Sequence, residues 1–378
     1  MGNNETYNKI LIVIFMMCII FVCIVSVIKE DVVFSENENK VMAIFPNFKL
    51  ESLLNGEYTS KVEEYFSDHI IFRNEIISFK TITNIVMNKK DNSRVYFAKN
   101  NMLMEMHENI VNESVDTNIN VINKFNEFLN DKYSVNMDLM LVNTKTSIYE
   151  DMLPKFANVN NEDEIIDYIY STSNTNNIDI SDILKANKDK YIYFNLDHHW
   201  TQLGAYLAYC KYSDNKGYDS SNYTITTNLT NEFFGSLYSK AINPNLKPDS
   251  IIAYNLDSNL KYNIRYDGSK VTNNVYQKSN LNKKDKYTVF LDGNHSVVEI
   301  NTNNKNGKTM VIFKDSFGHP FIPFLLNEYE KVIVLDLRYV YTDLNVYFKN
   351  NNVTDVLMLY NIYNFVNKNE FIKLDITS

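Results

Sequence analysis

Short apolar runs and helical segments alternate through the last seventy residues, and this alternation constrains the fold more than any other feature of the chain. Residues 309–313, 331–335 and 355–359 read as strands, and 321–329 and 344–348 between them read as helices. A β-α-β-α-β order implies parallel strands joined by right-handed crossovers. Parallel strands are covered on both faces, so they should be apolar without alternation. Val311-Ile312-Phe313 and Val332-Ile333-Val334-Leu335 meet that requirement. The expected fold class is α/β, built on a parallel sheet. In open sheets of this class, sites form beyond the carboxyl ends of the strands.

Upstream, 137–142 is another buried strand, with the loop Thr144-Lys145-Thr146-Ser147 at its end. Residues 191–194 read as the next strand. Helices are expected at 115–129, 162–170, around 183–185 and at 203–212. Val95-Tyr96-Phe97 and Met102-Leu103-Met104 flank Lys99-Asn100-Asn101, a hairpin signal. Residues 60–85 carry apolar residues at helical spacing, with Asp68 and Arg73 placed to form a structural clamp. Residues 213–231 read as a polar loop. Within 250–300, short runs at 264–266, 287–290 and 297–300 suggest a small antiparallel β insertion. No internal repeat is present.

One run sets location. Residues 10–28 are nineteen in number and uncharged, and Lys9 and Lys29 flank them. At about 1.5 Å per residue this reaches across roughly 30 Å of hydrocarbon. A cleaved signal peptide is the alternative, but no small-residue cleavage site follows and the run exceeds the usual length of about 7–15 residues. The expected division is 1–29 as a membrane anchor, 30–45 as a spacer and 46–378 as the catalytic body, placed outside the cytoplasm. Cys210 stands alone in that body, so no internal disulfide is open to it. It reads as a small buried residue more readily than as a nucleophile. The formal net charge of −9 disfavours a nucleic-acid partner.

Two short motifs carry the chemistry. Asp197-His198-His199-Trp200 follows the strand read at 191–194, and Lys314-Asp315-Ser316-Phe317 follows the strand at 309–313. Together they supply the carboxylate, imidazole and hydroxyl that an activated serine needs. In this reading Ser316 attacks an acyl carbonyl, His199 is the base and Asp197 orients it. The helix starting after Ser316 would turn backbone N–H groups toward the oxyanion. Asn361 or Asn364, after the last strand, could add a donor. The bland readings stay open. Asp315 and Ser316 suit a helix cap, Asn361 can simply end its strand, and His198 should point away from its neighbour. His199 could ligate a metal with Asp197 and His319, although no paired-ligand spacing supports that. Trp200 is either core or a platform for a sugar ring. No cofactor is called for.

The tetrapeptide Asp197-His198-His199-Trp200 resembles the name-giving motif of the DHHW protein family. It is similar to the Asp-x-His motif of the alginate O-acetylation proteins, which have an SGNH-hydrolase-like fold. Lys314-Asp315-Ser316-Phe317 looks like their nucleophile motif. Phe234-Gly235-Ser236-Leu237-Tyr238, Gly293-Asn294-His295 and the stretch from Val334 to Tyr339 add to the likeness. The resemblance spans roughly residue 40 to the end of the chain. It implies a flavodoxin-like body and a Ser316-His199-Asp197 triad. It also implies acetyl transfer to an exported polysaccharide, beside a multipass membrane-bound O-acyltransferase that supplies the acetyl group. The acidic body favours a neutral glucan such as cellulose. Removal of acetyl groups by the same triad, and a non-catalytic glycan-binding scaffold, are the alternatives. Gly235 or Gly293 would fill the family's glycine block, with Gly235 at the oxyanion and Lys314 and Trp200 toward substrate. The motif order is reversed relative to ordinary SGNH hydrolases, as in the permuted alginate group. Lys314 stands where the family's pattern has glycine.

Overall fold

The computed structural model describes residues 2–35, 40–92, 94–110 and 112–375. The chain divides into two compact units, Met1–Lys89 with Ser239–Asn245, and Lys90–Tyr238 with Leu246–Ser378.

The first unit opens with a helix over Gly2–Ile28. Its stretch Thr6–Ser26 has a mean hydropathy of 3.0 and is long and apolar enough to cross a membrane, which makes it a candidate anchor. Of the spacer, 36–39 lie outside the described residues. The single helix expected at 60–85 is two helices, Glu57–His69 and Arg73–Val86. Phe72, at φ 57°, breaks the path between them. Arg73 does face Asp68, at 3.5 Å.

The second unit is organised by one eight-stranded sheet. Its strands in chain order are Met137–Val142 (β1), Asn176–Asn177 (β2), Tyr262–Tyr266 (β3), Lys270–Thr272 (β4), Val297–Thr302 (β5), Thr309–Lys314 (β6), Lys331–Leu335 (β7) and Asp355–Asn361 (β8). Their spatial order is β4-β3-β5-β7-β6-β8-β1-β2. From β7 to β2 every pairing is parallel, with Ile312 of β6 opposite Val334 of β7 and Leu357 of β8. From β7 outward to β4 every pairing is antiparallel.

Side chains along each strand alternate between two cores. Met310 and Ile312 point into one, with Val332, Val334, Leu357 and Leu359. Val311 and Phe313 point into the other, with Ile333, Leu335, Val356 and Met358. Each such buried aliphatic contributes about 1.5–3 kcal/mol. The helix Asn112–Tyr133 (α1) covers the second face, its Val115, Ile119, Ile122, Phe125 and Leu129 recurring every three or four residues and all buried. The helix Gln202–Lys216 (α2) belongs to the first core through Ala205, Ala208, Tyr209 and Tyr212. Thr201 caps its start and Gly217, at φ 71°, ends it. Gly204 must be glycine, because a Cβ there would lie 2.5 Å from the Ile192 carbonyl oxygen.

Several expectations need correction. The run 191–194 is buried but joins no sheet; it makes only a bridge, Tyr193 to Trp200. The β insertion is not separate, since β3, β4 and β5 extend the main sheet. Its expected strand at 287–290 is a 3-10 turn, Lys286–Val289. The polar loop at 213–231 ends in a strand, Thr226–Phe233, paired with Asp249–Tyr254. The helix expected at 321–329 is one turn, Ile322–Leu325, although the segment is as apolar as a helix would be. The hairpin of Val95–Phe97 and Leu103–Glu105 forms as expected.

Candidate active site

Ser316 leaves the carboxyl end of β6 in a 3-10 turn, Ser316–Gly318. The two polar residues of that turn divide the work. Asp315 is the cap: one carboxylate oxygen accepts from Phe317 N at 2.9 Å, and the other accepts from Asn361 N at 2.9 Å and Asn364 Nδ2 at 2.7 Å. Ser316 is left half-buried, and its Oγ lies 2.7 Å from His199 Nε2. Gly318 allows the turn to fold back, since a Cβ there would sit 2.7 Å from Lys314 Cβ.

His199 comes from a tight loop closed by Phe194 N donating to His199 O and Thr201 N donating to Ile192 O. Its Nδ1 is 2.6 Å from Asp197 Oδ1, which also accepts from His199 N at 2.9 Å. A carboxylate can only accept, so Nδ1 carries the hydrogen and Nε2 is free to accept from Ser316. The second Asp197 oxygen accepts from Ser236 N at 2.7 Å. Burial alone would raise the Asp197 carboxyl. The imidazoles of His199 and His198, with the hydrogen bonds from His199 and Ser236 N, outweigh it and hold the group well below the ordinary carboxylate range.

Three neighbours of the loop were not assigned a role from the sequence. Lys145, buried at 2% exposure, donates from Nζ to Phe194 O at 3.0 Å, Asn195 O at 3.1 Å and Asp197 O at 2.6 Å. Burial pushes its ammonium down to about 8, against the pull of the Asp249, Asp197 and Glu105 carboxylates. Asp249 completes the clamp from the donor side, accepting from Asn195 N at 2.9 Å and Leu196 N at 2.7 Å. Tyr287 lays its ring on the imidazole of His199, with centroids 3.9 Å apart and planes 9° apart, and its hydroxyl donates to Ser316 O at 2.9 Å. The spacing of a buried lysine just after a strand was the one available hint; Asp249 and Tyr287 gave none.

The remaining expected site residues are placed differently. His198 does not turn away: its ring lies 3.8 Å from that of His199, with Nδ1 2.7 Å from Ser236 Oγ. Trp200 is fully buried and donates to Phe317 O at 2.9 Å, so it is core and not a sugar platform. Lys314 is equally buried, its Nζ 2.8 Å from Asp336 Oδ2 and 2.9 Å from His319 Nε2, so it does not face substrate. Asn361 does end its strand: Nδ2 donates to Val142 O at 3.0 Å and Oδ1 accepts from Tyr363 N at 3.1 Å. At 4% exposure its amide is turned into the fold, whereas Asn364 stays half-buried. Gly235 packs on Asp197, where a Cβ would fall 2.3 Å from Asp197 Cβ, so it is a close-approach residue beside the carboxylate. The N–H groups of Phe317, Gly318 and His319 are taken by oxygens of Asp315 and Ser316, so no regular helix start presents a row of open donors. Of the alternative metal set, His319 has its Nε2 against Lys314 Nζ, and the residues whose ligand atoms lie close enough to share a cation are Asp197, His199 and His198.

The Lys314 cluster is a second buried ionic arrangement near the serine turn, and Tyr287 lies between His199 and His319 at ring distances of 3.9 and 6.0 Å. Asp336 accepts from Lys314 Nζ, from Arg338 Nε at 2.8 Å and from Arg338 NH2 at 2.6 Å. Burial works against its charge, but the two cations prevail and its carboxyl is lowered. Burial and the adjacent Lys314 push His319 well below the usual imidazole range, so it is neutral.

A family model described as DHHW protein matches residues 91–335, which is most of the chain and includes both motifs. The chain belongs to the DHHW family. No curated protein matches it. Among solved structures, a DHHW family protein from Eubacterium siraeum has a TM-score of 0.63 and 26% identity, covering 75% of this chain and 95% of that one. Bacillus cereus PatB1 has a TM-score of 0.61 and 20% identity over 72% of this chain and 97% of its own. The O-acetyltransferase domain of Pseudomonas putida AlgJ, at a TM-score of 0.48 and 15% identity, is too slight a likeness to bear on function.

Proposed function

We propose that this DHHW protein is a serine-dependent O-acetyltransferase, held at a membrane by its N-terminal helix and acting on an exported polysaccharide outside the cytoplasm. The observation that carries the reading is the hydrogen-bond path from Asp197 through His199 to a half-buried Ser316. The parallel order β7-β6-β8-β1-β2, with the serine at the end of a central strand, suits a flavodoxin-like, SGNH-hydrolase-like body. The acetyl group and the sugar acceptor come from the motif resemblance alone, that of Asp197-His198-His199-Trp200 and Lys314-Asp315-Ser316-Phe317 to the alginate O-acetylation proteins.

The steps follow from the geometry. Ser316 Oγ attacks the carbonyl carbon of a donor acetyl group while its proton passes to His199 Nε2. Asp197 stabilises the imidazolium that forms. The donor's carbon–oxygen bond breaks, and His199 returns the proton to the leaving oxygen. Acetyl-Ser316 remains. A sugar hydroxyl then gives its proton to His199 and attacks the same carbonyl, which releases the acetylated sugar and restores the serine. For the oxyanion the reading assigns Ser316 N–H, the remaining backbone donor of the turn among the described residues, and the second Nδ2 hydrogen of Asn364. Loss of one such donor costs about 10²–10³ in rate. A multipass membrane-bound O-acyltransferase is the assigned source of acetyl groups. The net charge of −9 favours a neutral acceptor such as a glucan.

The test incubates the full chain, in detergent, with an acetyl-ester donor, with and without neutral oligosaccharides. Acetylated sugar supports the reading. Free acetate in both arms, with no acetylated sugar, replaces transfer with hydrolysis. Undiminished turnover in Ser316→Ala removes the serine mechanism altogether.

A further inference from the structure

The corner between helices Glu57–His69 and Arg73–Val86 is tied to the end of the candidate anchor. Ile71 N donates to Ser26 Oγ at 3.1 Å. Ser26 is the last residue of the apolar stretch. It is buried, and Val22 and Val25 beside it are half-covered, while most of that helix is exposed. Those three positions share one helix face. Val22 lies about one turn, roughly 6 Å, closer to the middle of the stretch. The corner therefore sits at the depth where the apolar stretch ends.

The helix that leaves this corner is inverted relative to a helix bathed in water. Its inward residues include Thr81 and Asn84, at 2% and 7% exposure. Its outward residues include Ile76 and Phe79, at 49% and 73%, with Phe72 just before it at 62%. Phe72, Ile76 and Phe79 are spaced by four and three residues, which aligns them on one face. Phe72 also holds a left-handed φ of 57°, a costly conformation for a bulky residue, to end up in the open. Water would favour the opposite distribution. Hydrocarbon would favour this one, with the exposed Glu75 and Lys80 stems reaching back toward the headgroups.

We propose that Phe72, Ile76 and Phe79 seat the helix Arg73–Val86 in the lipid boundary of the bilayer that the N-terminal helix crosses. The chain then grips the membrane twice, by a span and by a surface helix buried about 5–10 Å into the headgroup region. Aromatic rings are at home at that level. The proposal rests on the anchor reading, and the continuity from Ser26 to Ile71 selects lipid over a protein partner as the occupant.

The experiment places tryptophan reporters in the full chain, reconstituted in vesicles of phosphatidylcholine with phosphatidylglycerol. The native Trp200 is buried and serves as a constant background. Phe72→Trp and Phe79→Trp should lose emission to lipids brominated on the acyl chain and resist acrylamide in the water. Ile14→Trp, inside the span, reports the anchor alone. Val271→Trp, on an exposed strand position of the body, should show the reverse pattern. Quenching of Ile14→Trp by bromolipid without quenching at 72 and 79 overturns the surface helix and leaves the anchor standing. Protection of 72 and 79 from both quenchers overturns it too, in favour of a protein partner. Absence of bromolipid quenching at Ile14→Trp overturns the anchor reading and this proposal together.

Discussion

Two buried ionic arrangements lie close to Ser316, and they differ in what their protons can do. In one, Asp197 and His199 form a short chain that ends on an open hydroxyl. In the other, Lys314, Asp336 and Arg338 form a closed knot in which cations face a carboxylate that they also hydrogen-bond, with a neutral His319 beside them. The first contains an imidazole nitrogen within proton-transfer distance of a hydroxyl. The second contains groups locked in one state. Burial of charge is common to both and diagnoses neither; what separates them is that the first ends on the half-buried hydroxyl of Ser316 and the second ends inside the protein, at His319.

Substitutions should therefore split between chemistry and stability. The largest effect falls on Ser316→Ala, which should lower acyl transfer by about 10⁶ with an unchanged urea midpoint. Asp197→Asn comes next, with a rate loss of about 10⁴ from the wrong imidazole tautomer. It also changes the acid response. The folded carboxyl is lowered, so its contribution to stability is complete above about pH 4, the unfolded value, and is lost as pH falls toward the folded value. Below about pH 4 the variant's stability should fall less steeply than the parent's in acid titrations followed by circular dichroism. In the second arrangement, Lys314→Met should cost about 3–5 kcal/mol in urea unfolding, because it strips one partner from a fully buried carboxylate. At a temperature where the variant is folded, its kcat should stay near the parent's; a loss on the scale of Asp197→Asn would erase the distinction drawn between the two arrangements. Smallest is Tyr287→Phe, which keeps the stacked ring and removes the bond to Ser316 O. It should cost about 1 kcal/mol, measured as stability or as kcat/KM.

The parallel half of the sheet was legible because both faces of its strands are covered, which forces uninterrupted apolar runs such as Val332 to Leu335. The antiparallel half was misread as an insertion. Ile264 and Tyr266 point inward while Asn263 and Arg265 point out, a half-buried pattern that does not say which sheet it joins. Ser316 was legible because it follows the end of a parallel strand, whereas Asp197 and His199 were legible from their Asp-x-His spacing alone, since 191–194 joins no sheet. Lys145 and Asp249 were not, because each binds backbone groups, and backbone groups have no signature in sequence. Trp200 and Lys314 show the converse error, since residue type suggested a ligand contact while burial made each a part of the interior.

The rings of Tyr287 and His198 lie against the imidazole of His199 at 3.9 and 3.8 Å. One ring is stacked on that imidazole and the other is tilted against it, so aromatic neighbours restrict how it can turn. In the proposed acetyl-serine route the donor's alcohol leaves before the acceptor attacks. Initial-rate plots at several fixed acceptor concentrations should accordingly give parallel double-reciprocal lines, the signature of a ping-pong exchange.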